Sequence, residues 1–306
     1  MTTAPVSCVI STWNKAPDVC ANVAALYQQS RPPAQVIVVD NHSGDDTAER
    51  LRREFPQVEV LEMPHSEFGA CETFNLGFKA ATQEFVAILD DDVVLPPNWL
   101  AKLLARFEHE PETTAMITTK VVEPGMPAEY LTRPDINEEA YLATFRGCGS
   151  LVRRDVLQAA GYYDERFFIY GNERDLAARI LHDGHRILLD PTVLTFHGTP
   201  FGMKAGARSL YYHVRNFWLY AFKNCAWSDV LKVGWKLTGK ALGGGRRQQG
   251  DAAEATGTIG LNKAVKETPG GVRIALRATL AAVWMLPYCL RNRRVCRAAD
   301  FRPPLV

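Results

Sequence analysis

Three carboxylates in a row, Asp90, Asp91 and Asp92, follow directly on the apolar run Phe85–Leu89. Side by side they repel one another, and a cation among them relieves the repulsion. Carboxylates favour hard divalent ions such as Mn2+ or Mg2+, which bridge protein to the phosphates of a substrate. The plainer alternative is an acidic turn leading into a helix over Pro96–Phe107. A second acidic position, Asp40, closes the run Val36–Val39 and precedes Asn41, His42, Ser43 and Gly44. An Asp there can accept hydrogen bonds from a nucleoside base or a ribose hydroxyl, or else serve a helix N-terminus. His197 closes the segment TVLTFHG. Its imidazole can complete a metal site with Asp92 and two phosphate oxygens, or else be structural. Cys148 has no partner nearby by spacing and reads as small packing rather than as a nucleophile.

The elements that must position these residues follow from the apolar pattern. Val6–Ile10, Val36–Val39, Val58–Leu61 and Phe85–Leu89 read as short buried strands. Helical patterns lie between them. Asp18 is a candidate cap for a helix with Val19, Val23, Leu26 and Tyr27 on one face. Asp45, Asp46 and Thr47 open a second helix, and Asn98 is placed to cap a third with Leu100, Leu103, Leu104 and Phe107. This alternation predicts an α/β fold with a mostly parallel central sheet flanked by helices. Ligands of such sheets bind beyond the C-terminal strand ends, where Asp40 and the acidic triplet fall. Residues 111–146, with several Pro and Gly, predict loops and edge structure. Strand character returns at Gly149–Val152 and Ile187–Leu189, and an aromatic-rich helix is expected over Arg208–Phe222.

Composition narrows the class. Of 306 residues, 47% are hydrophobic and 23% charged, which excludes wholesale disorder. Seven cysteines without a C-x-x-C pair argue against a disulfide framework and a structural zinc site, and predict a reducing, cytoplasmic setting. The start, MTTAPVSCVIST, lacks the basic n-region and long apolar run of a secretory signal. The net charge of +1 hides a split. Residues 1–203 carry 17 Lys and Arg against 29 Asp and Glu, whereas residues 204–306 carry 18 against 5. A basic C-terminal region of this kind is expected to meet something anionic.

Several segments together resemble the inverting glycosyltransferases of family 2, which have a GT-A fold. They are CVISTWNKAP, VIVVDNHSGDDT, FGACETFNLGFKAATQEFVAILDDDVVLPPNWL, RGCGSLVRRDVL and GYYDERFFIYGNERDLAARILHDGHRILLDPTVLTFHG, in this order from about Val6 to about Phe222. The resemblance implies that Thr12 and Asn14 line a nucleotide pocket, that Asp40 holds the base, and that Asn75 lies beside the donor. It equates Asp90-Asp91-Asp92 with the D-x-D signature: Asp92 ligates the metal, Asp90 and Asp91 contact ribose or donor sugar, and His197 is a further ligand. The family's E-D-x-D segment stands here as Asn172-Glu173-Arg174-Asp175, a departure at the first two positions. Inversion needs a carboxylate to take the proton of the acceptor hydroxyl. Glu173, at the start of a helical pattern where the helix dipole favours negative charge, is the expected base, with Asp175 second. Arg215 is expected to offer positive charge to the diphosphate, or else to snorkel from an aromatic helix.

Residues 1–225 thus read as a GT-A catalytic domain, with a nucleotide-sugar half over about 1–110 and an acceptor half over about 111–225. The implied donor is a UDP- or dTDP-linked sugar, the cofactor Mn2+ or Mg2+, and the acceptor a saccharide or lipid-linked hydroxyl. Residues 226–306 read as a basic helical extension with a mobile linker over about 243–271. Arg277 and Pro287 argue against a transmembrane span over Ile274–Leu290. Lys232, Lys236 and Lys240, interleaved with Val230, Val233, Leu237 and Leu242, suggest an amphipathic basic helix. The extension is expected to sit on an anionic membrane surface, peripheral on the inner face of the plasma membrane; packing against the catalytic domain or in a homo-oligomer is the alternative. No nucleic-acid module is visible. A nucleotidyltransferase would want glycines in STWNKAP, and a non-catalytic scaffold would not need the acidic triplet with Glu173.

Overall fold

The computed structural model describes residues 2–203, 206–232, 234 and 261–303. Its strands are β1 (Ala4–Thr12), β2 (Pro33–Asp40), β3 (Glu59–Glu62), β4 (Phe85–Asp90), β5 (Val93–Val94), β6 (Thr114–Val122), β7 (Ala140–Tyr141), β8 (Ser150–Arg153) and β9 (Arg186–His197). They form one sheet in the order β3-β2-β1-β4-β8-β6-β9-β5, with β7 paired to β9. From β3 to β4 every pairing is parallel. Beyond β4 the sheet is mixed, because β8 runs antiparallel to both its neighbours while β6 and β9 are parallel.

The early helices are α1 (Ala16–Tyr27), α2 (Thr47–Glu54), α3 (Ala70–Ala80) and α4 (Trp99–His109). Asn98 stands at the N-cap position of α4, where its side chain makes no capping hydrogen bond. α1 starts earlier than expected: Lys15 is its N-cap, Pro17 occupies the first turn, and Asp18 lies within that turn. Side chains alternate across β1, which explains how one strand serves two layers. Val6, Cys8 and Ile10 share a core cluster with Val19, Val23 and Leu26 of α1 and with Leu100, Leu103 and Phe107 of α4. Val9, of opposite parity, meets α3 at Gly77. A Cβ at Gly77 would lie 2.4 Å from Val9 Cγ1 and 3.1 Å from Val39 Cγ2, so only glycine permits this approach.

Two expectations for the second half are corrected. Residues 111–146 are not all loop and edge: β6 is a nine-residue central strand. Its threonines disguise it, because they pair with each other's neighbours inside the sheet. Ser150 Oγ donates to Thr118 Oγ1 at 2.9 Å, Thr119 Oγ1 and Thr195 Oγ1 lie 2.7 Å apart, and Trp99 Nε1 donates to Thr195 Oγ1 at 3.0 Å. Buried hydroxyls satisfied in this way cost little. The strand expected at Ile187–Leu189 runs on to His197, through a register shift opposite Thr119 and Lys120. The remainder of 123–160 holds three short helices, Ala128–Leu131, Pro134–Asn137 and Arg154–Ala159.

The chain divides into two compact units. The first holds the whole sheet and comprises the chain up to Tyr141, Phe145–Phe168 and His185–Phe201. The second comprises Leu142–Thr144, Ile169–Gly184 and the described residues from Gly202 onward. Its helices include α8 (Asn172–His182), α9 (Ala207–Asn224), α10 (Leu261–Glu267), α11 (Gly271–Trp284) and α12 (Leu286–Arg291), where α5 to α7 denote the three short helices above. α10 corrects the end of the linker expected over 243–271. Ala264 of α10 packs with Leu210 and Val214 of α9 and Ala278 of α11. Residues 235–260, which include most of that linker together with Lys236, Leu237, Lys240 and Leu242, and Val233 as well, lie outside the described residues. Pro287 stands in the first turn of α12, so the apolar run is two helices rather than one. Among the described residues no helix is long and apolar enough to cross a membrane.

Gly77→Ala should destabilise the sheet unit by about 1–3 kcal/mol through overpacking against Val9. A denaturant midpoint equal to that of the unsubstituted chain would contradict this packing.

Candidate functional site

The acidic triplet emerges where β4 ends, and two basic groups meet it. Lys15 Nζ lies 3.1 Å from Asp91 Oδ1 and 2.9 Å from Asp92 Oδ2. His197 Nε2 lies 3.3 Å from Asp90 Oδ2 and 3.2 Å from Asp92 Oδ1. On the far side of the ring, Nδ1 is 2.9 Å from Glu123 Oε1. The strand register brings His197 here, because β9 ends with His197 opposite Val93 of β5, one residue past the triplet. Gly198 N donates to Asp92 O at 2.8 Å and Thr199 Oγ1 donates to Asp92 Oδ2 at 3.1 Å, so both segments are tied.

Burial opposes charge on His197, yet hydrogen bonds to Asp90, Asp92 and Glu123 outweigh it and push the imidazole up to about 12. Burial also works against the Asp92 carboxylate, and His197 and Lys15 overcome it, holding Asp92 well below the usual range. Asp91 goes the other way: its burial dominates and raises it, although Lys15 and Thr12 offset part of the rise. Cys148 shares this neighbourhood, with Asp90, Cys148 and His197 offering ligand atoms within 4.8 Å of one another. Burial pushes the Cys148 thiol up to about 12, which keeps it neutral at ordinary pH.

The loops after β1 and β2 lock together beside the triplet. Thr12 pairs with Asp40 in the sheet register, and Thr12 Oγ1 donates to Asp91 Oδ2 at 3.0 Å. Asp40 is buried, which raises its carboxyl, and its Oδ1 accepts from the Ser43 amide at 3.1 Å and from the Ser43 hydroxyl. Asn14, at a positive φ of 54°, donates its amide to Ser43 Oγ at 2.8 Å and accepts from Gly44 N at 2.7 Å. Asn75 of α3 is engaged by the chain around Tyr163. Its Nδ2 donates to Tyr163 O and Glu165 Oε1, and its Oδ1 accepts from Tyr163 N, so its amide fastens that loop to α3.

The second unit carries the other expected residues. Glu173 and Asp175 both lie in the first turn of α8. Asp175 is fully buried, with Lys223 Nζ at 2.8 Å, Arg179 Nη2 at 3.0 Å and Asn224 Nδ2 at 3.0 Å. Burial alone would raise it, but Arg179 and Lys223 bring it below its ordinary value. Glu173 is half-buried. Arg215 Nε donates to Asn216 Oδ1 at 2.9 Å, with its guanidinium 4.7 Å from the Tyr212 ring centre.

Residues 7–159 match the family description Glycosyl transferase family 2. The chain belongs to that family.

A pre-mycofactocin glycosyltransferase of Mycobacterium tuberculosis is 29% identical over 154 residues, which are 46% of this chain and 32% of that protein. The matched stretch is thus about a third of that relative's length. Among solved structures, a mannosyltransferase from Pyrobaculum calidifontis in complex with GDP-Man and Mn2+ superposes with a TM-score of 0.58 at 20% identity, covering 93% of this chain and 76% of that one. S. aureus TarS gives 0.60 at 14% identity, covering 96% and 55%. At such identities the likeness speaks for the GT-A fold.

Lys15, Glu123 and Thr199 contact the triplet or His197, and no local sequence pattern singles them out. Lys15 sits inside STWNKAP, and a basic residue there gains its meaning only from the three carboxylates that its loop faces. Glu123 and Thr199 lie in irregular stretches, and only the pairing of β6 with β9 shows what they touch. Because the folded His197 is raised above its ordinary 6.5 toward about 12, its contribution to stability is complete below about pH 6.5 and fades as pH climbs toward 12. Glu123→Gln removes one of the groups holding the imidazolium. Ring NMR should report a lower His197 pKa in this variant, and an unchanged pKa would contradict the Glu123 contact.

Proposed function

We propose that this chain is a metal-dependent inverting glycosyltransferase that moves a sugar from a nucleoside-diphosphate donor to a saccharide or lipid-linked hydroxyl. The observation that carries the reading is the convergence of Asp90 and Asp92 on His197 Nε2 beside the joined loops of Thr12 and Asp40. Two carboxylates and an imidazole are a donor set suited to Mn2+ or Mg2+. Asp92 and His197 would hold the ion, which neutralises the diphosphate leaving group when bound. His197 must shed its proton to ligate, and Glu123 keeps its ring turned toward the carboxylates.

Thr12, Asn14 and Asp40 receive the nucleoside in this reading, with a UDP- or dTDP-linked sugar as donor. Asp90 and Asp91 contact ribose or the donor sugar, and Asn75 lies beside the donor. Arg215 offers charge to the departing diphosphate. Glu173 accepts the proton of the acceptor hydroxyl as that oxygen attacks, so one displacement inverts the anomeric centre. The buried ion pairs of Asp175 with Lys223 and Arg179 support Glu173 over Asp175 as the base. Residues 1–225 hold every group given a part in the transfer, and the basic region after them brings the enzyme to an anionic membrane surface.

Two variants separate the roles. Asp92→Ala should abolish transfer and remove Mn2+-dependent stabilisation by the donor while leaving the fold intact; full activity in EDTA would sink the metal assignment. Glu173→Gln should leave donor binding near normal and lower turnover by at least about 10²-fold. If Asp175→Asn shows that kinetic pattern with normal folding and Glu173→Gln does not, the base is Asp175.

A further inference from the structure

α11 has two apolar faces, and among the described residues its neighbours cover one of them. Successive residues of a helix advance by about 100°. Ala278 and Ala282 are fully buried, and Ile274 and Ala275 pack with them toward α9. Thr279 Oγ1 accepts from Trp218 Nε1 at 3.1 Å and fixes the rotation of the helix. The opposite arc carries Val272, Leu276, Leu280, Val283 and Trp284, all exposed, with Leu276 at 61%, Leu280 at 70% and Trp284 at 87%. These positions follow the i, i+4, i+8 spacing of one continuous stripe. Scattered exposed apolar residues need no explanation, but a contiguous stripe marks an interaction surface.

The charges around the stripe choose the partner. Arg273 and Arg277, both exposed, run along its Trp284 edge. Exposed Arg291 ends α12 and exposed Arg297 follows it, while Arg294 between them is paired with Asp183 at 2.6 Å. From 261 to 303 there are nine Lys and Arg against two Asp and Glu. Coulomb attraction alone would use the arginines and leave the leucines in water. A dry protein interface would use the leucines and gain little from so large a one-sign charge. An anionic bilayer uses both, since acyl chains receive the apolar stripe and headgroups receive the arginines. An exposed Trp beside a basic edge suits the boundary between those layers.

We propose that the Val272–Trp284 face of α11 lies in the headgroup boundary of an anionic phospholipid bilayer, parallel to its surface, with Arg273 and Arg277 on the phosphates. This deepens the proposed function by naming the face that meets the membrane, and it rests on that reading only for the membrane surface, not for the transfer reaction.

The test uses the full chain in vesicle flotation. Vesicles are phosphatidylcholine alone or phosphatidylcholine with about 30% phosphatidylglycerol, at low and at physiological salt. The expected result is binding to the anionic vesicles that weakens with salt. Leu276→Gln, Leu280→Gln and Trp284→Gln together should weaken it at least about tenfold. Arg273→Gln with Arg277→Gln should weaken binding to anionic vesicles and leave the small binding to neutral ones unchanged. Binding of a nucleoside diphosphate with Mn2+, measured in parallel by calorimetry, should be the same in all variants, which separates failure of this proposal from failure of the catalytic reading. If the triple variant does not fold by circular dichroism, Leu280→Gln alone takes its place, with a reduction of about threefold or more expected. Three results would overturn the proposal: a full chain that ignores anionic vesicles at low salt, apolar variants that bind as well as the parent, or a dimer in light scattering that the stripe variants dissolve while vesicle binding is absent.

Discussion

Three adjacent carboxylates at the end of a buried strand repel one another, and the sheet unit is arranged to answer that repulsion. Lys15 spans Asp91 and Asp92, and His197 spans Asp90 and Asp92. The two cations come from the first and last strands in chain order, one from the loop after β1 and one from the last residue of β9. The β1–β4 pairing places Lys15, and the pairings of β9 with β6 and β5 place His197, so the charge balance of the site is also a check on the fold. In the proposed reading, a divalent cation arriving with substrate phosphates would take over part of this charge balance from Lys15 and His197.

The less regular features of the sheet serve this arrangement. β9 lies between β6 and β5, with Phe196 paired to Val122 on one side and to Val94 on the other, beyond a register shift at Asp190–Leu194. Asp190 steadies the shifted segment by accepting from Thr192 N and Oγ1. Gly149 is part of the same fit, because a Cβ there would lie 2.6 Å from Thr195 Oγ1 and 2.8 Å from Thr119 Oγ1. The hydroxyl pairs of β6, β8 and β9 therefore explain both a polar central strand and the glycine beside Cys148.

Much of this was legible in the sequence. The parallel half of the sheet announces itself in apolar runs ending at Asp40 and Asp90, since strands buried on both faces need little else. β6 was hidden because its central Thr118 and Thr119 are satisfied by residues 28 or more positions away, a pairing no local pattern reveals. The partnership of His197 with Glu123 was hidden for the same reason. The polar fate of Asn75 depends on the Tyr163–Glu165 loop and not on its own helix. In the second unit the exposed stripe of α11 could be read as apolar but not as outward-facing, because packing on α9 alone decides which of two apolar faces is covered.

The central claim is that the balance around Asp90–Asp92 is a place for a divalent cation. Anomalous diffraction from crystals grown with Mn2+ and a nucleoside diphosphate tests it directly. The account predicts a manganese peak bound to the Asp92 carboxylate and His197 Nε2, with Lys15 turned from Asp92 toward phosphate. A bound nucleotide without manganese there, and with Lys15 still spanning Asp91 and Asp92, would contradict it.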